Sequence, residues 1–109
     1  MSYRKGARLE YWVKHRLEKE NYYVVRSAGS HGEADLIAFK KTPPSEILFI
    51  QISKKPKPVE EIERLIDLCN TLGVTPCIVF KNNGRLSFLK GSQVIEYVNT
   101  KRLKLSSNR

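Results

Sequence analysis

A chain of 109 residues with 40% hydrophobic content holds one domain with a single two-layer core, which excludes a second folding unit. No apolar run approaches the length of a membrane span, and the N-terminus opens basic and polar, without the apolar segment of a secretion signal. A net charge of +9 points to a polyanionic partner, because lysines and arginines neutralise phosphates and release counterions; charge alone would also suit a solubilising or heat-stable surface.

The first helix is predicted over Lys5–Glu20, where Leu9, Trp12, Val13 and Leu17 recur at three- and four-residue steps. That stripe puts Trp12 in the core or at a dimer contact, with His15 on the solvated side. Tyr22–Arg26 is rich in strand formers, and Ser27–Gly32 is a small-residue loop open to close approach by backbone or ligand. A strand is expected over Ala34–Phe39, then a turn through Pro43-Pro44. Ile47–Ser53 is nearly continuous in apolar residues and reads as a central strand covered on both faces. Lys54-Lys55-Pro56-Lys57-Pro58 forms a stiff basic loop. Glu60–Leu72 shows Ile62, Leu65, Ile66, Cys69 and Leu72 on one helical face and stops at Gly73. Thr75–Phe80 is a strand, and Asn82-Asn83-Gly84 turns it into a hairpin with Leu86–Leu89.

Val94–Val98 is a short last element. The domain is thus placed at residues 1–98, with residues 99–109 as a basic polar tail free to be disordered. The order α-β-β-β-α-β-β predicts an α/β sandwich, a central mixed β-sheet flanked by helices. Cys69 and Cys77 read as core thiols, matching neither a disulfide framework nor a zinc spacing, so a reducing, cytoplasmic setting is expected.

The candidate chemistry lies between residues 33 and 55. Side chains alternate along a strand, so Glu33 and Asp35 can share a face, as can Gln51 and Ser53. If the two strands are neighbours, all four meet at one end of the sheet. Magnesium takes oxygen ligands, commonly one or two carboxylates with waters completing the shell. Asp35 offers a carboxylate, Gln51 an amide oxygen and Ile52 a backbone carbonyl, with Glu33 as a further carboxylate. An ion held there would polarise a phosphate and activate a water for in-line attack. Glu10 could hold a second ion or an ordered water. The bland alternatives are a turn-forming Asp35 and a Gln51 that is a hydrogen-bonded buried amide.

Three stretches carry a family resemblance. Lys5-Gly6-Ala7-Arg8-Leu9-Glu10, Tyr23-Val24-Val25-Arg26-Ser27-Ala28-Gly29-Ser30 and Ala34-Asp35-Leu36-Ile37-Ala38 together resemble the archaeal Holliday-junction resolvases of the PD-(D/E)XK nuclease superfamily. The resemblance covers roughly residues 4–90 and implies a restriction-endonuclease-like fold. It also implies a homodimer acting on branched DNA in recombination and repair, with Mg2+ or Mn2+ as cofactor. Glu10, Ser30 and Asp35 match the family's site, and Arg26 falls where the family places a basic residue before the loop. The next strand departs, with Gln51 at the family's glutamate and Ser53 at its lysine, so Lys54 or Lys55 would have to supply the missing cation. Strict alternation turns Lys54 to the wrong face unless the strand ends or bulges there.

Arg4, Lys5, Arg8, Arg26, Ser30, His31, Lys54, Lys55 and Lys57 form the expected DNA-binding set. Three functions compete on this reading. One is a metal-dependent structure-specific endonuclease, and another a non-catalytic resolvase paralogue that binds DNA or regulates an active nuclease. The third is an RNA-processing or scaffold subunit on the same fold.

Overall fold

The computed structural model describes residues 3–27 and 33–107, with side chains described over 8–27 and 33–105. Its elements are α1 (Tyr3–Lys19), β1 (Tyr22–Arg26), β2 (Leu36–Lys40), β3 (Ile47–Ser53), α2 (Val59–Leu72), β4 (Thr75–Asn82), β5 (Arg85–Lys90) and α3 (Ser92–Ser107). The strands lie in the order β1-β2-β3-β4-β5 in one sheet. All neighbours are antiparallel except β3 and β4, which run parallel because α2 carries the chain back across the sheet.

α1 covers one face. Its stripe of Leu9, Val13 and Leu17, spaced four residues apart, packs on Tyr22, Val24, Leu36, Ala38, Leu48, Ile50, Ile52, Cys77 and Val79. On the other face, Ile62, Leu65 and Cys69 of α2 and Val94 and Val98 of α3 bury Ile78 and Phe80. β3 serves both layers, as its continuous apolar run predicts: Leu48, Ile50 and Ile52 face α1, while Phe49 joins the second layer. Asn21 at φ 73 stops α1, and Gly73 at φ 72 stops α2. Asn83 and Gly84, at φ 53 and 78, make the two-residue turn that joins β4 to β5 with the right twist.

Three expectations change. β2 begins at Leu36 rather than Ala34, because residues 33–35 are held by side-chain and off-register bonds described below. Trp12 leaves the stripe. It is 50% exposed, with the Lys81 ammonium 5.6 Å over its ring, while Leu9, Val13 and Leu17 take the buried positions beneath the helix. The last element does not end at Val98: α3 continues to Ser107, and Arg102 forks onto the Glu63 carboxylate of α2. Its outer turns bury little, so no apolar period announced them.

Candidate functional site at the open end of the sheet

β2 and β3 are locked together at their site end by three hydrogen bonds between residues 33–35 and 50–52. The Asp35 N–H donates to the Ile50 carbonyl at 2.7 Å. Asp35 Oδ2 accepts the Ile52 N–H at 2.7 Å, so one residue brackets Gln51 from both sides. Gln51 in turn donates from Nε2 to the Glu33 carbonyl at 3.2 Å. The β2–β3 register pairs Leu36 with Ile50, and strict continuation would set Asp35 opposite Gln51. The bond to Ile50 instead puts Asp35 one residue out of step, so its side chain is aimed by the clamp and not by strand alternation. The Asp35 carbonyl also accepts the Ser27 N–H at 2.9 Å, which ties the end of β1 to the same point.

Gln51 is 5% exposed and is the one buried polar side chain among the described residues. Its bond to Glu33 fixes the amide with Nε2 on that carbonyl and Oε1 on the opposite side. The Glu33 carboxylate leaves the clamp and pairs with Arg64 of α2 at 3.5 Å, while Arg64 also lies 3.9 Å from Glu61. Glu33 and Gln51 therefore share the α2 side, while Asp35, expected on the same face as Glu33, is set by its own bonds to β3.

Glu10 is on the α1 face, where its carboxylate accepts Arg26 Nε at 3.0 Å. Together with Tyr11, Lys14 and Leu36 these two line a cavity of about 200 Å³. The predicted site is thus built in two parts: Glu10 with Arg26 on one face and Glu33 with Gln51 on the other. Asp35 stands at the strand end between them.

β3 ends at Ser53, which is the condition that frees Lys54 from alternation. The Ser53 hydroxyl donates to the Lys55 carbonyl at 2.5 Å and closes the turn out of the strand. Both lysines are exposed at this exit, and Lys57 is half-buried in the loop that follows. Arg8 is exposed on α1. Arg4 and Lys5 belong to α1, but their side chains, like Ser30 and His31 altogether, lie outside the described residues.

The donors Asp35, Gln51 Oε1 and the Ile52 carbonyl are all oxygen, the chemistry of a hard cation such as Mg2+ or Mn2+. Among the described residues no three His, Cys, Asp or Glu side chains gather to hold a metal ion, so neutral oxygens would have to complete the set. One carboxylate with neutral oxygens fits an ion that keeps much of its water. The thiols stand apart from this chemistry, since burial pushes Cys69 up to about 11 and Cys77 up to about 12.

Sequence reasoning missed Arg64. The available signal was parity: a Gln51 face turned to α2 brings the polar first turns of α2 to the same edge. Tyr22 is buried. Its hydroxyl donates to Glu46 at 2.5 Å, with Lys90 Nζ 3.1 Å from the same carboxylate oxygen, at the opposite end of the sheet.

The chain matches the family profile described as archaeal Holliday junction resolvase (hjc) over residues 1–106. The crossover junction endodeoxyribonuclease Hjc of Methanocaldococcus jannaschii is 39% identical over 92 residues, covering 80% of this chain and 66% of that protein. The match therefore spans slightly less than two thirds of that relative's length. The structure of Archaeoglobus fulgidus Hjc, a Holliday junction resolvase from an archaeal hyperthermophile, matches with a TM-score of 0.61 at 21% identity. That match covers 83% of this chain and 73% of the other, and the shared fold is the restriction-endonuclease-like sandwich that the resemblance implies.

Proposed function

This chain belongs to the archaeal Holliday junction resolvase family, and we propose that it binds four-way DNA junctions and cleaves them as a divalent-metal-dependent endodeoxyribonuclease. In this reading it serves DNA recombination and repair in the cytoplasm, beside the nucleoid. The observation that carries it is the clamp, which sets Asp35 against Gln51 at the sheet end although the strand has lost its glutamate and lysine.

Asp35, Gln51 Oε1 and the Ile52 carbonyl would hold Mg2+ or Mn2+, with Glu33 as a further carboxylate if it leaves Arg64. When bound, such an ion supplies Lewis-acid polarisation of the scissile phosphate and a water acidic enough to attack it. The chain's own residues do the rest. Asp35 keeps a fixed charge at the strand end, because its backbone and one carboxylate oxygen are already committed to β3. Lys54 and Lys55 stand where β3 releases the chain and supply the cation that Ser53 lacks, stabilising charge on the phosphate. Glu10 orients Arg26, whose mostly exposed guanidinium meets the backbone beside the cut. Ser30 and His31 complete the set of phosphate contacts with Arg4, Lys5, Arg8 and Lys57.

A homodimer suits a substrate cut symmetrically in paired strands. The outer face of β1–β2 supports it, since Tyr23 and Phe39 are exposed there with rings 6.4 Å apart and neither α2 nor α3 packs against them.

The test is cleavage of an end-labelled four-way junction with Mg2+ or Mn2+, with an Asp35→Asn control and binding read on the same samples. Paired nicks that vanish in the control are expected. Tight binding with no nicks under either metal would overturn the catalytic reading and leave a junction-binding relative.

A further inference from the structure

A groove of about 690 Å³ lies beside the site and shares Lys55 and Lys57 with the phosphate contacts above. One wall is the stiff loop that leaves β3, with Lys55, Pro56, Lys57 and Pro58; the other is the outer half of α3, with Tyr97, Lys101 and Lys104. Four ammonium groups thus stand around an apolar floor of proline rings, Val59 and Leu105, against a single lining carboxylate, Glu60. The Lys101 ammonium lies 5.4 Å over the Tyr97 ring, which holds it on the groove side of the helix.

We propose that this groove is a second DNA-binding surface, which takes the sugar-phosphate strand running away from the cut along one arm of the junction. The proposal rests on the junction-binding reading given above. Charge complementarity selects the occupant: a lysine rim over an apolar floor matches phosphates flanking deoxyribose, and an acidic counter-surface is the only partner for such a rim. Continuity selects its source. Lys55 is four residues from Gln51, at most about 14 Å of extended chain, and a DNA strand rises about 3.4 Å per nucleotide. A strand held at Gln51 would therefore reach the groove within about four nucleotide steps. Two consequences follow for the chain. The basic outer turns of α3 become part of the binding surface, and Arg102, by holding Glu63, fixes α3 to α2 at the angle that shapes the groove.

The experiment is anisotropy titration of a labelled four-way junction by the full chain in metal-free buffer, across a range of salt. Wild type is compared with Lys101→Gln/Lys104→Gln, and with a charge-matched control, Lys19→Gln/Lys41→Gln, at the opposite end of the sheet. Two lost phosphate contacts per protomer should lower the slope of log K against log salt by about two units for each protomer engaged and weaken binding at about 0.1 M salt by about tenfold or more. The control should keep the wild-type slope, and Lys101→Arg/Lys104→Arg should restore binding, which separates lost charge from a damaged helix. A groove variant indistinguishable from the control would overturn the groove while leaving junction binding intact. Wild type with no affinity for the junction would overturn the parent reading, and the groove with it.

Discussion

Asp35 closes the clamp and, in the proposed function, holds the metal, and these two duties can be pulled apart by two substitutions. Its Oδ2 accepts the N–H of Ile52, a buried residue whose amide has little access to water. Asp35→Ala removes a charge-assisted bond and leaves that N–H unpaired, at a cost of about 1.5–3 kcal/mol. For a domain of this size each kcal/mol lowers Tm by about 4 °C, so the variant should melt about 6–12 °C early. Asp35→Asn keeps a carbonyl oxygen for the same N–H and loses only the charge assistance, about 1 kcal/mol and about 4 °C. Cleavage should nevertheless vanish in both, because the amide cannot supply the anionic oxygen that a hard cation needs. Thermal melting by circular dichroism without metal, beside single-turnover cleavage with metal, reads both quantities on one preparation. An Asp35→Ala protein that melts with wild type would show that the clamp contributes no stability. An Asp35→Asn protein that cuts at the wild-type rate would remove Asp35 from the chemistry.

Three further outcomes are expected. Ser53→Lys adds a cation to the Gln51 face, where Lys54 and Lys55 already fill the role, and breaks the turn bond to Lys55, so cleavage should change by less than about twofold while stability drops by about 0.5–1.5 kcal/mol; a rise of about tenfold or more would show that Lys54 and Lys55 do not replace the lysine. The Tyr22 hydroxyl, first, and Lys90 hold the Glu46 carboxyl below its ordinary 4.5, so its contribution is present above 4.5 and is lost as pH falls through the lower folded value. Burial and then Glu46 raise Tyr22 above 10.0, so its contribution holds below 10.0 and fades as pH rises through the raised value. Glu46→Gln should flatten the acid limb of a Tm-against-pH curve, and an acid limb as steep as wild type's would refute this assignment. Finally, Tyr23→Glu with Phe39→Glu should turn a dimer into a monomer in sedimentation without unfolding it, since both side chains are already exposed; a dimer that survives both places the interface elsewhere.

The sheet was legible because its strands obey the simplest rules. β1 and β3 were bounded to the residue, and the Asn83-Gly84 turn announced the hairpin, since period-two burial and positive φ leave marks in composition. What failed to show lay where burial is slight. The outer turns of α3 are polar, and their place is set by a single Arg102–Glu63 pair and a groove wall, neither of which has a period. Trp12 failed differently: it has helical spacing, but a stripe of three aliphatic residues already saturates the contact beneath α1.

The sequence names candidate site residues but not their arrangement, and Asp35 shows why. Alternation fixes a side chain only inside a paired strand, and Asp35 sits one step before β2 begins. There the bond from its N–H to Ile50 and the bond from Ile52 to its carboxylate decide its direction, and both depend on the partner strand. Gln51 follows from the same cause. An ionised glutamate in its place would offer no donor to the Glu33 carbonyl. A neutral amide instead satisfies that carbonyl and leaves one oxygen for a cation. The residue that departs from the family's glutamate therefore supplies one bond of the clamp, and Asp35 supplies the other two.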